Sequence, residues 1–267
     1  MELKTLDIFC EIIDNYGDIG VVYRIAKELD KIFPNSKIRV FLNRLEEFKK
    51  INSQVKDTPC QIIDGIEYIT FDYVQKKAKE LSTSQVIIEA FGCKIPDEYM
   101  EIAYGNSELL INLEYLSAED WIEDFHLQSS PLGKEKLKKV FFMPGFTEKS
   151  GGIIADSNYL ERIEKVIKNR DFYTKKYLGN IENRDKKIVG TLFSYEKNFT
   201  TLFEELKKLD REVVILAMGE KTQESLKKIF EKNLIEDFRN SLKYGKIEVR
   251  FLEFLNQEEY EELINVV

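Results

Sequence analysis

Two carboxylates, Asp14 and Asp18, stand in the run Asp14-Asn15-Tyr16-Gly17-Asp18-Ile19-Gly20. A loop built for a pyrophosphate presents small neutral residues so that backbone N–H groups face the anion. Here one carboxylate opens the turn and the other sits between Gly17 and Gly20. Like charges about 4 Å apart repel by ~1 kcal/mol in water and by several times that in a cleft. The run therefore suits a cationic or proton-donating partner better than a diphosphate. A competing reading is architectural, with Asp14 as a strand-end turn residue and Asp18 as a helix cap. Residue type and spacing leave both open.

Such a run has to be held by a strand before it and a helix after it. LDIFCEII precedes it, and in VVYRIAKEL the apolar Val21, Val22, Ile25, Ala26 and Leu29 recur at helical spacing. In an open α/β sheet the loop leaving the first strand lies at the ligand crevice. Gly17 and Gly20 permit close approach there, and Gly17 can take a left-handed φ without a Cβ penalty. Further strands are predicted in KIRVFL, GIEYITF, QVIIEA and LLINL, alternating with helices as in a mostly parallel, doubly wound sheet. The fifth of these strands exits into Glu114-Tyr115-Leu116-Ser117-Ala118-Glu119-Asp120-Trp121, which carries several polar groups and the chain's single tryptophan.

From Phe125 to Ile153 repeated Ser, Pro and Gly predict an extended crossing into a second domain, with a short strand over Val140 to Met143. Alternation then resumes. KIVGTLF, EVVILAM and the stretch from Lys246 to Phe254 read as strands, with Asn198 a candidate cap and Glu253 to Glu262 a solvated helix face. The expected domains are 1–152 and 153–267. Trp121 is expected in the core of its loop, and the lone His126 excludes multi-histidine metal sites and His-dependent triads.

Composition narrows the function. A net charge of -8 disfavours binding to nucleic-acid phosphates and suits a basic partner. Three widely spaced cysteines without C-x-x-C predict reduced thiols in a cytoplasmic protein. No apolar run approaches the ~20 residues needed to span a bilayer, so no membrane role is expected. The chain stops on Val266-Val267 without a polar tail, which predicts a truncated chain and an incomplete second sheet.

The stretches LDIFCEIIDNYGDIGVVYRIAKEL, INLEYLSAEDWIEDFHLQSSP, FFMPGFTEKSGG, TLFSYE and FLNQEEY, in this order, resemble the bacterial elongation factor P arginine rhamnosyltransferases, the EarP family. The resemblance implies a GT-B fold, two Rossmann-like domains facing each other across a cleft. It implies inverting transfer of L-rhamnose from dTDP-β-L-rhamnose to an arginine of elongation factor P, without a metal or other cofactor. The absence of any D-x-D triplet fits that. By the resemblance Asp18 is the general base and Asp14 its acceptor-side partner, with Asn15, Tyr16, Gly17 and Gly20 around them. Phe193, Tyr195, Phe254, Gln257 and Tyr260 are implied near the nucleotide and sugar, Tyr260 standing where the family usually has phenylalanine. Family members continue into a segment of pattern N-F-V-R-G-E-D-S, which supplies a glutamate and the diphosphate clamp. Its lack here predicts little transfer by this chain alone. The alternatives are a GT-B-like enzyme on another acceptor, a nucleotide-sugar epimerase, or a non-catalytic module gripping a basic partner; without the resemblance the residues reach only a soluble two-lobed α/β protein with a candidate acidic site.

Overall fold

The computed structural model describes residues 3–13, 15–130, 136–179, 181, 183–230 and 241–267. Asp14 lies outside them, as does the side chain of Asn15, so nothing structural attaches to either as a site residue. The chain forms two compact units, Met1–Ser157 and Asn158–Val267.

The first unit runs β1 (Thr5–Cys10), α1 (Asn15–Ile32), β2 (Lys37–Leu42), α2 (Glu46–Ile51), β3 (Cys60–Ile63), β4 (Ile66–Thr70), α3 (Phe71–Lys77) and β5 (Val86–Ala90). It continues through α4 (Asp97–Asn106), β6 (Leu109–Leu113), α5 (Ile122–Phe125), β7 (Ser129–Ser130) and β8 (Lys138–Phe142). Among the described residues these strands make an eight-stranded sheet in the order β3-β4-β2-β1-β5-β6-β8-β7. β3 and β7 are antiparallel to their neighbours and the rest are parallel. β1 shows why the sheet needs cover on both faces. Its Ile8 and Cys10 pack with Ile19, Val22 and Ala26 of α1, while Phe9 on the opposite side packs with Tyr99 and Ala103 of α4. A near-continuous apolar strand is what double burial requires.

Within the predicted crossing from Phe125 to Ile153 the expected short strand is present as Lys138–Phe142, but it belongs to the first sheet. Lys138–Phe142 returns beside β6 as a parallel strand, and β7 pairs back on it. The glycines that follow are packing necessities: a Cβ on Gly145 would stand 2.4 Å from Ile122 Cδ1, and one on Gly151 2.6 Å from the Phe142 ring. His126 belongs to this packing. Its Nδ1 accepts the Met143 amide at 3.1 Å, and its ring lies edge-on to Phe142.

In the second unit α6 (Tyr159–Lys168) and α7 (Arg170–Leu178) precede β9 (Lys187–Phe193), α8 (Thr200–Lys207), β10 (Glu212–Met218) and α9 (Glu220–Phe230). β11 (Ser241–Tyr244), β12 (Ile247–Phe251) and α10 (Gln257–Ile264) follow. Its strands lie in the order β11-β12-β10-β9, with β12, β10 and β9 parallel. β10 is covered on both faces, Val213, Ile215 and Ala217 by α8 and α9, and Val214, Leu216 and Met218 by α6, α7 and α10. Asn198 does act at the start of α8, its Oδ1 accepting the Thr200 amide at 2.9 Å. The solvated face expected over Glu253 to Glu262 is corrected in α10. Glu261 is buried and paired with Arg162, and Glu262 is held by Lys176 and Tyr177. Among the described residues no helix is long and apolar enough to cross a membrane.

Candidate active site

Strand order in the first sheet reverses at β1: β2 lies on one side and β5 on the other. The crevice outside the carboxyl ends of strands at such a switch point is where open α/β sheets bind ligands. Loops leaving β1 and β6 meet there on one carboxylate, and the loop leaving β5 backs the second of them. Asp18, in the first turn of α1, is only 1% exposed. Its Oδ2 accepts the backbone amide of Ile13 at 2.9 Å, and its Oδ1 accepts the Tyr115 hydroxyl at 2.8 Å. Tyr115, from the loop after β6, stacks on Phe91 from the loop after β5, with centroids 4.2 Å apart and planes 10° from parallel.

The two readings of Asp18 are thus compatible. The bond to Ile13 fixes the strand-to-helix turn, the architectural task. A negative group in the first turn of a helix is also favoured by the helix dipole.

The expected tight turn around the glycines is corrected. α1 begins at Asn15, so Gly17 and Gly20 are helical, and neither has a left-handed φ. A Cβ on Gly17 would meet nothing within 4 Å, and one on Gly20 would touch Ile51 at 3.9 Å. Tyr16 turns toward α2, where Lys50 Nζ lies 5.6 Å from its ring centroid. Trp121, expected in the core, is 51% exposed and lies edge-on to the exposed Phe125. Tyr115 stands in the polar exit run of the fifth predicted strand, but nothing in the sequence ties it to Asp18, 97 positions earlier.

The carboxyl ends of the second sheet carry the other predicted residues. Phe193 ends β9 and is 53% exposed; Tyr195 and Phe254 are exposed as well. Phe193 lies over Gly219, whose φ is +80° and where a Cβ would be 2.7 Å from the ring, so this approach requires glycine. Tyr260 faces Phe193 at 6.3 Å between centroids. Gln257 Nε2 donates to Glu261 at 2.8 Å. Thr222 of α9 pins the loop bearing Tyr195 through both the amide and the carbonyl of Ser194, each at 2.8 Å. That clamp was not legible beforehand, because Thr222 reads only as a residue of an amphipathic helix.

Comparison with known proteins gives a consistent picture. The sequence model of the family described as elongation-factor P (EF-P) rhamnosyltransferase EarP matches residues 6–267. A protein-arginine rhamnosyltransferase of Pseudomonas aeruginosa is 35% identical over 163 residues, 60% of this chain and 42% of the relative. One from Neisseria meningitidis is 26% identical over 266 residues, 97% of this chain and 66% of the relative. The chain therefore spans less than two thirds of these relatives' own lengths. Among solved structures, one described as the structural basis for EarP-mediated arginine glycosylation of translation elongation factor EF-P aligns at TM-score 0.53 and 20% identity. That alignment covers 97% of this chain and 64% of the other. A glycosyltransferase from Rickettsia africae aligns at TM-score 0.52 and 10% identity, over all of this chain and 72% of the other. At such identities these two likenesses establish the fold.

Proposed function

Because the chain belongs to the EarP family of elongation factor P rhamnosyltransferases, we propose that it serves the transfer of L-rhamnose from dTDP-β-L-rhamnose to an arginine side chain of elongation factor P. The observation that carries this reading is the carboxylate of Asp18, held from two sides at the switch point of the first sheet. A guanidinium is charged at all physiological pH values, and its nitrogen lone pairs are delocalised. It becomes a nucleophile only if a carboxylate orients it and takes an N–H proton as the new bond forms.

In the proposed step an arginine nitrogen attacks the anomeric carbon from the face opposite the leaving group. The C–N bond forms as the C–O bond to the diphosphate breaks, with inversion. The electron pair leaves with dTDP, and the proton passes to Asp18. The aromatic groups Phe193, Tyr195 and Phe254 suit the thymine and the apolar face of a deoxy sugar, and the Gln257 carbonyl suits a base edge. Both substrates belong to the cytoplasm in this reading.

The test is intact-mass analysis of elongation factor P after incubation with this chain and dTDP-β-L-rhamnose, beside an Asp18→Asn control. A deoxyhexose mass gain that disappears in the control is expected, small with this chain alone and larger once the family's N-F-V-R-G-E-D-S segment is joined to it. No gain even with that segment joined, or an equal gain with the control, would refute the assignment.

A further inference from the structure

We propose that Tyr115 is a positioning residue for Asp18, its hydroxyl orienting the carboxylate toward the acceptor while Phe91 holds Tyr115 in place. The inference rests on the transferase reading above. Asp18 is withdrawn from solvent at 1% exposure and Tyr115 is 49% exposed, so Tyr115 is the solvent-side partner of the buried carboxylate. With Ile13 donating to Oδ2 and Tyr115 to Oδ1, rotation of the carboxylate is fixed from opposite sides. A general base acts only within hydrogen-bond reach of its proton, and a misplacement of about 1 Å can cost about a hundredfold in rate.

Phe91 supplies an independent observation. Its φ is +58°, an unusual conformation for a bulky side chain, and Gly92 follows at +63°. Strain of this kind persists where the surroundings over-determine it, and it concentrates at functional sites. Here it directs the Phe91 ring onto Tyr115. The Phe91 amide also donates to the Leu113 carbonyl at 2.7 Å, joining the two loops at their bases. The loops from β5 and β6 are thus tied at base and tip, and the tip carries the hydroxyl that meets Asp18.

Tyr115→Phe keeps the ring and its stack and removes only the hydroxyl. With the full chain, we expect kcat for transfer to elongation factor P to fall about tenfold or more. The acceptor KM should stay within about twofold, since misorienting the base lowers kcat rather than acceptor binding. Asp18→Asn with Tyr115→Phe should be no slower than Asp18→Asn alone, because nothing remains to be oriented. Phe91→Leu should fall in the same direction as Tyr115→Phe, and Phe91→Tyr should retain most of the parent rate. A Tyr115→Phe chain as fast as the parent, or faster, would overturn the proposal, as would independent losses in the double variant. If the parent chain transfers nothing even with the family's N-F-V-R-G-E-D-S segment joined, the transferase reading fails and the inference falls with it. Parent activity thus decides the first, and the ratio of variant to parent decides the second.

Discussion

Asp18 combines two tasks in one side chain. It closes the β1–α1 turn through the Ile13 amide and meets Tyr115 through its other oxygen. Loss of its charge therefore disturbs local architecture as well as any chemistry, which is why a variant one residue removed, at Tyr115, is the more discriminating probe. The glycines make a separate point at this scale. Gly17 and Gly20 look like a turn signal in the sequence and prove helical, whereas Gly145, in what reads as a plain loop, has no room for another atom. Gly145→Ala would push a methyl group against Ile122 and the Cβ of Ser150. We expect it to destabilise the chain by about 1–3 kcal/mol, as overpacking does, measured as a lowered urea midpoint at unchanged m-value.

Among the elements, the buried parallel strands were the most legible. LLINL and EVVILAM lie at Leu109–Leu113 and Glu212–Met218 as predicted, because double burial writes itself as an unbroken apolar run. The antiparallel edge strands β3, β7 and β11 escaped notice. They are short, and their pairing is set by the neighbour more than by their own pattern. α10 misled for another reason: its glutamates look solvated in sequence, but their partners come from α6 and α7, some 85 to 99 positions earlier. Burial pushes the Glu262 carboxyl up, but bonds from Tyr177 and Lys176 outweigh that and hold it below its ordinary value of 4.5. A depressed folded-state value means stability that is present above 4.5 and lost as pH falls through the folded value. Glu262→Gln should therefore melt below the parent at neutral pH, with the gap narrowing as the pH falls below 4.5. A gap independent of pH would show that the charge is not what α10 uses.

At the scale of the whole molecule, two units each carry their own doubly covered sheet. The first also contains a buried ion pair. Arg39 of β2 grips Asp7 of β1 with Nε and Nη2 at 2.7 and 2.6 Å, and Tyr99 adds a bond to the same carboxylate. Removing one partner of such a pair leaves an uncompensated buried charge, at a cost of about 3–5 kcal/mol. Asp7→Ala should accelerate hydrogen exchange at amides of β1 and β2 and leave β10 protected, if each unit is sustained by its own core. Alternating strands and helices made both units legible in the sequence. The meeting of the loops after β1 and β6 on Asp18 was not, since contacts between distant loops leave no local period to read.

The exposed position of Trp121 has one more consequence. As the single indole in the chain, half in water and six positions beyond Tyr115, it is a built-in fluorophore for this end of the first sheet. Excited at the red edge, where tyrosines are silent, its emission colour and its quenching by acrylamide report the wetness of that one loop without any label.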